Sequence, residues 1–258
     1  MPAIIVVSAE PNAGLATVAA GLSRLAGAGI DVTPIEGNAS AALATNPGAR
    51  AVLVATPASP AAEVVGQLRS GSYAGLILNH SPARKVESIH VEYESLGVKP
   101  LAIVPEDRLL AAPTVGQFAK ALDATGEFIN ENRDRSLART VIASIAADPG
   151  QTYVTQLEAQ AVIVRSDKPD LQLSALNAGA RCLIVTGNLP ILSYVLDRVR
   201  EDEIPLIRSP KDTKDTVAVL EGLFGASLFT GSEKTDRIAT LLAGVDVDAL
   251  LQRATNSA

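Results

Sequence analysis

The strongest constraint on this chain is a series of short, unbroken aliphatic runs separated by stretches with helical spacing. Ile4-Ile5-Val6-Val7 opens the series, and Arg50-Ala-Val-Leu-Val-Ala55 and Ala74-Gly-Leu-Ile-Leu-Asn79 continue it. Leu101-Ala-Ile-Val104, Ala161-Val-Ile-Val-Arg165, Cys182-Leu-Ile-Val-Thr186 and Pro205-Leu-Ile-Arg208 follow. A strand buried on both faces reads as a continuous apolar run, whereas a strand with one wet face alternates. Parallel strands need a crossover rather than a hairpin, and the crossover helices cover the sheet. The expected class is therefore α/β with parallel sheets.

The segments between the runs agree with that class. Thr17 to Ala26 has helical apolar spacing, and Gly27 and Gly29 stop it. Asp31-Val-Thr-Pro-Ile-Glu36 reads as a second strand, and Asn38 to Gly48 as a small-residue helix or loop. Ser59 is placed to cap a helix with Pro60 in its first position. Ala83 to Leu96 and Val115 to Leu122 are further helices. Residues 127–139 are the most charged and least apolar stretch, so the sequence predicts a domain at 1–128, a linker at 129–135 and a second domain at 136–250. In the second half, Thr140 to Ile145 reads as a strand, and Pro169 to Ala178 and Ser193 to Glu203 as helices. Asp212 or Thr213 caps another helix running to Leu223, and Lys234 to Leu242 forms a last helix before a short tail.

Composition removes several function classes. The chain has 258 residues, 47% of them hydrophobic but only 3% aromatic, so the core must be aliphatic. A net charge of −6 argues against nonspecific nucleic-acid binding. The single cysteine, Cys182, lies inside an aliphatic run; it excludes an internal disulfide and is expected to be buried and inert in a reducing cytoplasm. No apolar run approaches the roughly 18 residues of a membrane span. Two histidines, His80 and His90, are too few for a zinc site, and no metal is expected.

The first strand leads through Ser8-Ala-Glu-Pro-Asn-Ala-Gly14 into a helix. Strand, tight loop and helix N-terminus form the arrangement with which P-loop proteins cradle phosphate. The residues that make it work are missing. In a Walker A loop Gly is followed by Lys, which reaches the phosphates, and by Ser or Thr, which holds Mg²⁺; here Gly14 is followed by Leu15 and Ala16.

These segments, with Gly75-Leu-Ile-Leu-Asn79 and Ile103-Val-Pro-Glu-Asp-Arg-Leu-Leu-Ala-Ala-Pro113, resemble the N-terminal region of long bacterial phosphate acetyltransferases. The first half is similar to their dethiobiotin-synthetase-like P-loop NTPase domain. The second half, through Ser166-Asp167-Lys168, Leu183-Ile-Val-Thr-Gly187-Asn188, Asp212-Thr213 and Thr216, is similar to their smaller α/β DRTGG domain. The acyltransferase domain that would follow is absent from the 258 residues.

The resemblance implies a nucleotide site at Glu10, Asn12, Gly14 and Thr17, with Asn79 reading the base and Pro105 and Glu106 beside the purine and ribose. It also implies that the region serves oligomerisation and effector response. Three departures remove charge from the phosphate site. Leu15-Ala16 stands for Lys-Thr, Thr33 precedes Pro34 where synthetases carry Lys, and Ala55-Thr56 replaces an acidic residue and Gly. Each lost electrostatic contact costs about 10²–10³ in rate. No catalytic residue is expected, and at most a weakly bound adenine nucleotide or anion occupies the loop. Glu10 is equally well read as a loop carboxylate bonded to nearby backbone, and Asn79 as a cap on its strand end.

In the second domain Asp167, Lys168, Thr186, Gly187 and Asn188 fall at two strand ends and are candidates for an anionic ligand. Asp167 and Asn188 are also placed to cap the helices that follow, and Asn188 to take φ > 0 in place of the family's second Gly. The function expected is non-catalytic: a cytoplasmic regulatory, ligand-sensing or scaffold protein, forming a homo-oligomer such as a dimer or holding a metabolic enzyme partner. The alternatives are an ATP-dependent ligase or amidating enzyme of the dethiobiotin or cobyrinate type, and a purely structural subunit.

Overall fold

The structure is a computed structural model that describes residues 2–37, 39–143, 160–226 and 228–252. The chain divides into two units, residues 1–107 with 234–258, and residues 108–233. The chain thus crosses at Asp107–Arg108 and returns at Glu233–Lys234, and the expected linker 129–135 lies inside the second unit. Its charged residues turn back on a helix start there, with the amides of Val115 and Gly116 donating to the carbonyls of Arg135 and Arg133 at 3.0 Å each. Polarity in this stretch marks a surface turn rather than a crossing.

The first unit begins with β1 (Ala3–Ser8), α1 (Leu15–Ala26), β2 (Asp31–Ile35), α2 (Ala39–Thr45) and β3 (Arg50–Ala55). It continues with α3 (Ala61–Ser70), β4 (Tyr73–Ser81), α4 (Val86–Ser95) and β5 (Ala102–Pro105). The five strands are all parallel in the order β2-β1-β3-β4-β5. Alternate residues divide the core between the two faces. Ile5, Val7, Ala51, Leu53, Leu76 and Leu78 pack with α2, α3 and α4. Right-handed crossovers put α1 on the opposite face, because β1 steps to β2 in one direction and β3 steps to β4 in the other. The loops after β1 and β3 therefore diverge. That reversal is where an open α/β sheet forms its ligand crevice.

The second unit comprises α5 (Arg108–Ala111), α6 (Val115–Leu122), β6 (Thr125–Glu127), β7 (Thr140–Ile142), β8 (Ala161–Arg165) and α7 (Pro169–Asn177). Then come β9 (Cys182–Thr186), α8 (Ser193–Glu201), β10 (Leu206–Ser209) and α9 (Thr213–Glu221). Its sheet runs β6-β10-β9-β8-β7, parallel except for β6. Val162, Val164, Leu183, Val185 and Leu206 face α7 and α8. Ile163, Cys182, Ile184 and Ile207 face α6 and α9. Both faces are covered, which is why the strands read as continuous apolar runs. The expected strand Thr140 to Ile145 is β7; positions 144 and 145 lie outside the described residues. Thr114 caps α6 in a reciprocal capping box with Gln117. Cys182 is fully buried, and burial pushes its thiol up to about 12.

From Ser232 the chain forms α10 (Ser232–Leu241), then α11 (Val247–Gln252), a helix that the sequence pattern did not suggest. Within the first unit, Asp236 on α10 pairs with Arg24 on α1 at 2.9 Å, and Arg237 pairs with Asp107 at 2.7 Å. Gly21 on α1 provides the clearance: a Cβ there would lie 2.8 Å from Leu242 and 2.9 Å from Ile238. Lys234 at the return is fully buried, and desolvation pushes its ammonium down to about 8. No described helix is long and apolar enough to cross a membrane.

Candidate functional site

Side chains of the first unit bond across its own crevice. Glu10, just after β1, turns its carboxylate across to the loop after β3. Oε1 accepts from the amide of Thr56 at 2.8 Å and from its hydroxyl at 2.6 Å, and Oε2 accepts from the hydroxyl of Ser59 at 2.5 Å. Partial burial alone raises the pKa of Glu10, but the bonds from Ser59 and Thr56 outweigh it and hold the carboxyl below its usual value. A carboxylate fixed at the crevice opposes a phosphate there. Ser59 is consequently not a helix cap; Pro60 occupies the N-cap position of α3, without a side-chain bond.

The loop that enters α1 is held by Asn79. This side chain is 2% exposed, and its Nδ2 donates to the Ala13 carbonyl at 2.9 Å. Gly14 enters α1 at φ 79°, and a Cβ there would lie 2.2 Å from Nδ2 of Asn79. Asn12 takes φ 61° at the exposed tip, and Thr17 lies in the first turn of α1, half-buried. Pro105 closes β5, and Glu106 follows with its amide donating to the Ser81 carbonyl at 2.8 Å and its side chain exposed. The structure therefore gathers Glu10, Asn12, Gly14 and Asn79 around one loop. The carboxylate of Glu10 is taken by Thr56 and Ser59, and the amide of Asn79 by the Ala13 carbonyl.

In the second unit the candidates converge on open space. A cleft of about 670 Å³ at the carboxyl edge of the sheet is lined by Asp167, Lys168, Thr186, Gly187 and Asn188. Lys168 is the N-cap of α7, which has no side-chain cap bond. Asp167 does not cap it either: both its oxygens are taken by Arg165, at 2.9 and 2.6 Å. Asn188 lies before α8 without capping it and is not among the positive-φ residues; Gly187 alone takes φ 89°. A Cβ at Gly187 would sit 3.0 Å from Oγ of Ser166, so the loop relies on a bare backbone. The hydroxyl of Ser166 in turn accepts from the Leu189 amide at 3.3 Å.

The opposite wall was not legible as part of a site. Thr213 and Lys214 line the cleft at the start of α9, and the hydroxyls of Thr213 and Thr186 meet at 2.8 Å. Asp212 caps α9 by accepting from the Asp215 amide at 2.8 Å, as one of the two expected caps. The segment from Lys211 to Thr216 reads as a helix start. Its further meaning depends on the strand before it ending at the same sheet edge as β8 and β9. With Asp167 paired to Arg165 and Asp212 bonded to its own helix, Lys168 at the N-cap of α7 and Lys214 in the first turn of α9 line the cleft, with no carboxylate paired to either among the described residues. That arrangement suits an anion.

Residues 117–223 match the DRTGG domain family, so the second unit carries a DRTGG domain. Among solved structures the chain is similar to the CBS and DRTGG domains of the regulatory region of a Clostridium perfringens pyrophosphatase, determined in complex with its activator diadenosine tetraphosphate. The identity is 14% over 69% of this chain and 76% of that one, with a TM-score of 0.38. A crystal structure from Mycobacterium smegmatis matches at 8% identity over 98% of this chain and 97% of that one, with a TM-score of 0.21. At those TM-scores neither likeness extends to the arrangement of a site.

Proposed function

We propose, from the DRTGG domain of the second unit, that this chain is a non-catalytic regulatory protein that senses a small anionic ligand. The observation that supports it is the contrast between the two sheet edges. The first unit's crevice holds its own ionised Glu10, and its loop is tied down by Asn79. The second unit's cleft has room for a ligand and offers Lys168 and Lys214 from the starts of two helices. Loss of the phosphate-binding Lys and Ser/Thr after Gly14 agrees with a first unit that survives as a scaffold. On the resemblance to the front part of long phosphate acetyltransferases, the ligand is a nucleotide or acyl phosphate. Its binding is relayed to a second copy of the chain or to a partner enzyme.

A thermal-shift and calorimetric screen with AMP, Mg-ATP, acetyl phosphate, acetyl-CoA and pyruvate tests this role. A ligand present at 100 times its dissociation constant stabilises the fold by about 2.7 kcal/mol. Replacing Lys168 and Lys214 together with Ala is expected to abolish the shift, and Glu10→Gln to leave it in place. No shift with any of the five compounds favours a purely structural subunit. Mg-ATP turnover above a buffer blank overturns the non-catalytic assignment.

A further inference from the structure

A second cleft adjoins the cleft described above, sharing Ile142 and Ile163 with it, and is otherwise lined by different residues. It has a volume of about 490 Å³ and lies between the edge strand β7 and the helices α5 and α9. Its floor is aliphatic: Ile163 on β8 and Val217 and Leu220 on α9. Alternation along β7 explains which residues reach it. Val141 and Ala143 pack with the α7–α8 face, so Thr140 and Ile142 project to this side. Two large apolar side chains stand at the mouth, Ile142 and Phe224, 41% and 42% exposed. Leaving both in water is unfavourable, and an apolar body between them removes that cost.

The polar groups at this cleft are few among the described residues. Arg108, in the first turn of α5, and Arg139, just before β7, line it together with Glu221 at the end of α9. The Thr140 hydroxyl is buried in the wall and has no hydrogen-bond partner among the described residues. Pockets for small molecules have this composition: about 300–1,000 Å³, mostly apolar, with a small number of orienting polar groups. The guanidinium of Arg108 selects a planar carboxylate, which it bonds in parallel pairs, and Arg139 adds positive charge beside it. A single carboxylate on the same wall disfavours a ligand that carries a second negative charge.

We infer that this cleft is a binding site for a monocarboxylate with an aliphatic or aromatic body, beside the anion cleft at the carboxyl edge and bound through different polar groups. Octanoate is the probe, followed by competition with the fluorescent amphipathic anion 8-anilinonaphthalene-1-sulfonate on the full chain. Octanoate is expected to displace the fluorophore in a saturable, single-site manner, and octanol and the dicarboxylate suberate to do so much more weakly. Arg108→Glu is expected to weaken octanoate by about tenfold or more, the loss that accompanies one charge-assisted hydrogen bond. Ala111→Trp, at an exposed position of the rim, is expected to block the cleft without disturbing the core. Lys168→Ala, at the other cleft, should leave octanoate binding unchanged. Unsaturable displacement overturns the inference, as does equal affinity for octanol and octanoate. Binding unaffected by both Arg108→Glu and Ala111→Trp overturns it as well.

Discussion

Glu10 shows how one side chain decides what a sheet edge can do. Its three hydrogen bonds reach residues 46 and 49 positions away, and they join the two loops between which a ligand would otherwise enter. Although burial alone raises the pKa, the bonds lower it, so ionised Glu10 is preferred by the folded chain. A group whose folded pKa is depressed contributes stability above its unfolded value near 4.5 and loses it as pH falls through the folded value. Glu10→Gln keeps an acceptor for Thr56 but presents an amide to Ser59, at a partly exposed position, so the expected cost is about 1 kcal/mol at neutral pH. Urea titrations of both proteins check this: the gap between them should narrow as pH falls through the depressed folded value of Glu10. A gap that stays constant from neutral to acid pH contradicts the role of the charge. A bonded loop carboxylate was legible in the sequence. Its partners were not, because local spacing carries no information about which loops meet across a sheet. Ser59 illustrates the limit, since next to Pro60 it has every local mark of a cap.

At the scale of elements, apolar runs located most of the strands. β3, β8 and β9 fall at their expected bounds because a strand buried on both sides leaves no ambiguity of period. The β1–α1 loop was less legible. Its shape depends on Asn79, which belongs to β4 and reaches the Ala13 carbonyl from across the sheet. Gly14 is required twice over, by its positive φ and by the approach of the Asn79 amide to the place of a Cβ. Gly14→Ala should therefore cost about 1 kcal/mol for the backbone and a further term for the clash. Asn79→Ala should cost about 1–3 kcal/mol, because it leaves a buried carbonyl unpaired. The two are coupled: with Asn79 truncated, the alanine methyl has space. The double variant is expected to be more stable than the sum of the single costs by about 1 kcal/mol. Chemical denaturation of the four proteins measures this directly, and strict additivity means that the amide does not set the loop.

At the scale of the whole molecule, the path of the chain is the feature that no local pattern encodes. The apolar stripe of α10 announces a buried face, but nothing in it says which core it covers. The charged run at 129–135 has the composition of a linker and serves as a turn, while the actual crossings at Asp107–Arg108 and Glu233–Lys234 lie in charged stretches that continue directly into the helices α5 and α10. The second unit, in contrast, is continuous in sequence and has apolar clusters on both faces of its own sheet. It follows that residues 108–233 should unfold cooperatively as an isolated fragment. Residues 1–107 lack α10 and α11, and with them the buried side chains of Ile238, Leu242, Val247 and Leu250. Each such side chain is worth about 1.5–3 kcal/mol when buried, and together they rival the roughly 5–15 kcal/mol by which a domain is stable at all. Residues 1–107 alone should therefore give no cooperative thermal transition by circular dichroism. A chain in which a short glycine-serine linker joins 1–107 directly to 234–252 should recover one. If 1–107 melts cooperatively without the C-terminal helices, those helices are not part of the first unit's core. If the linked chain also fails while the intact protein melts, the first unit depends on the second for its folding.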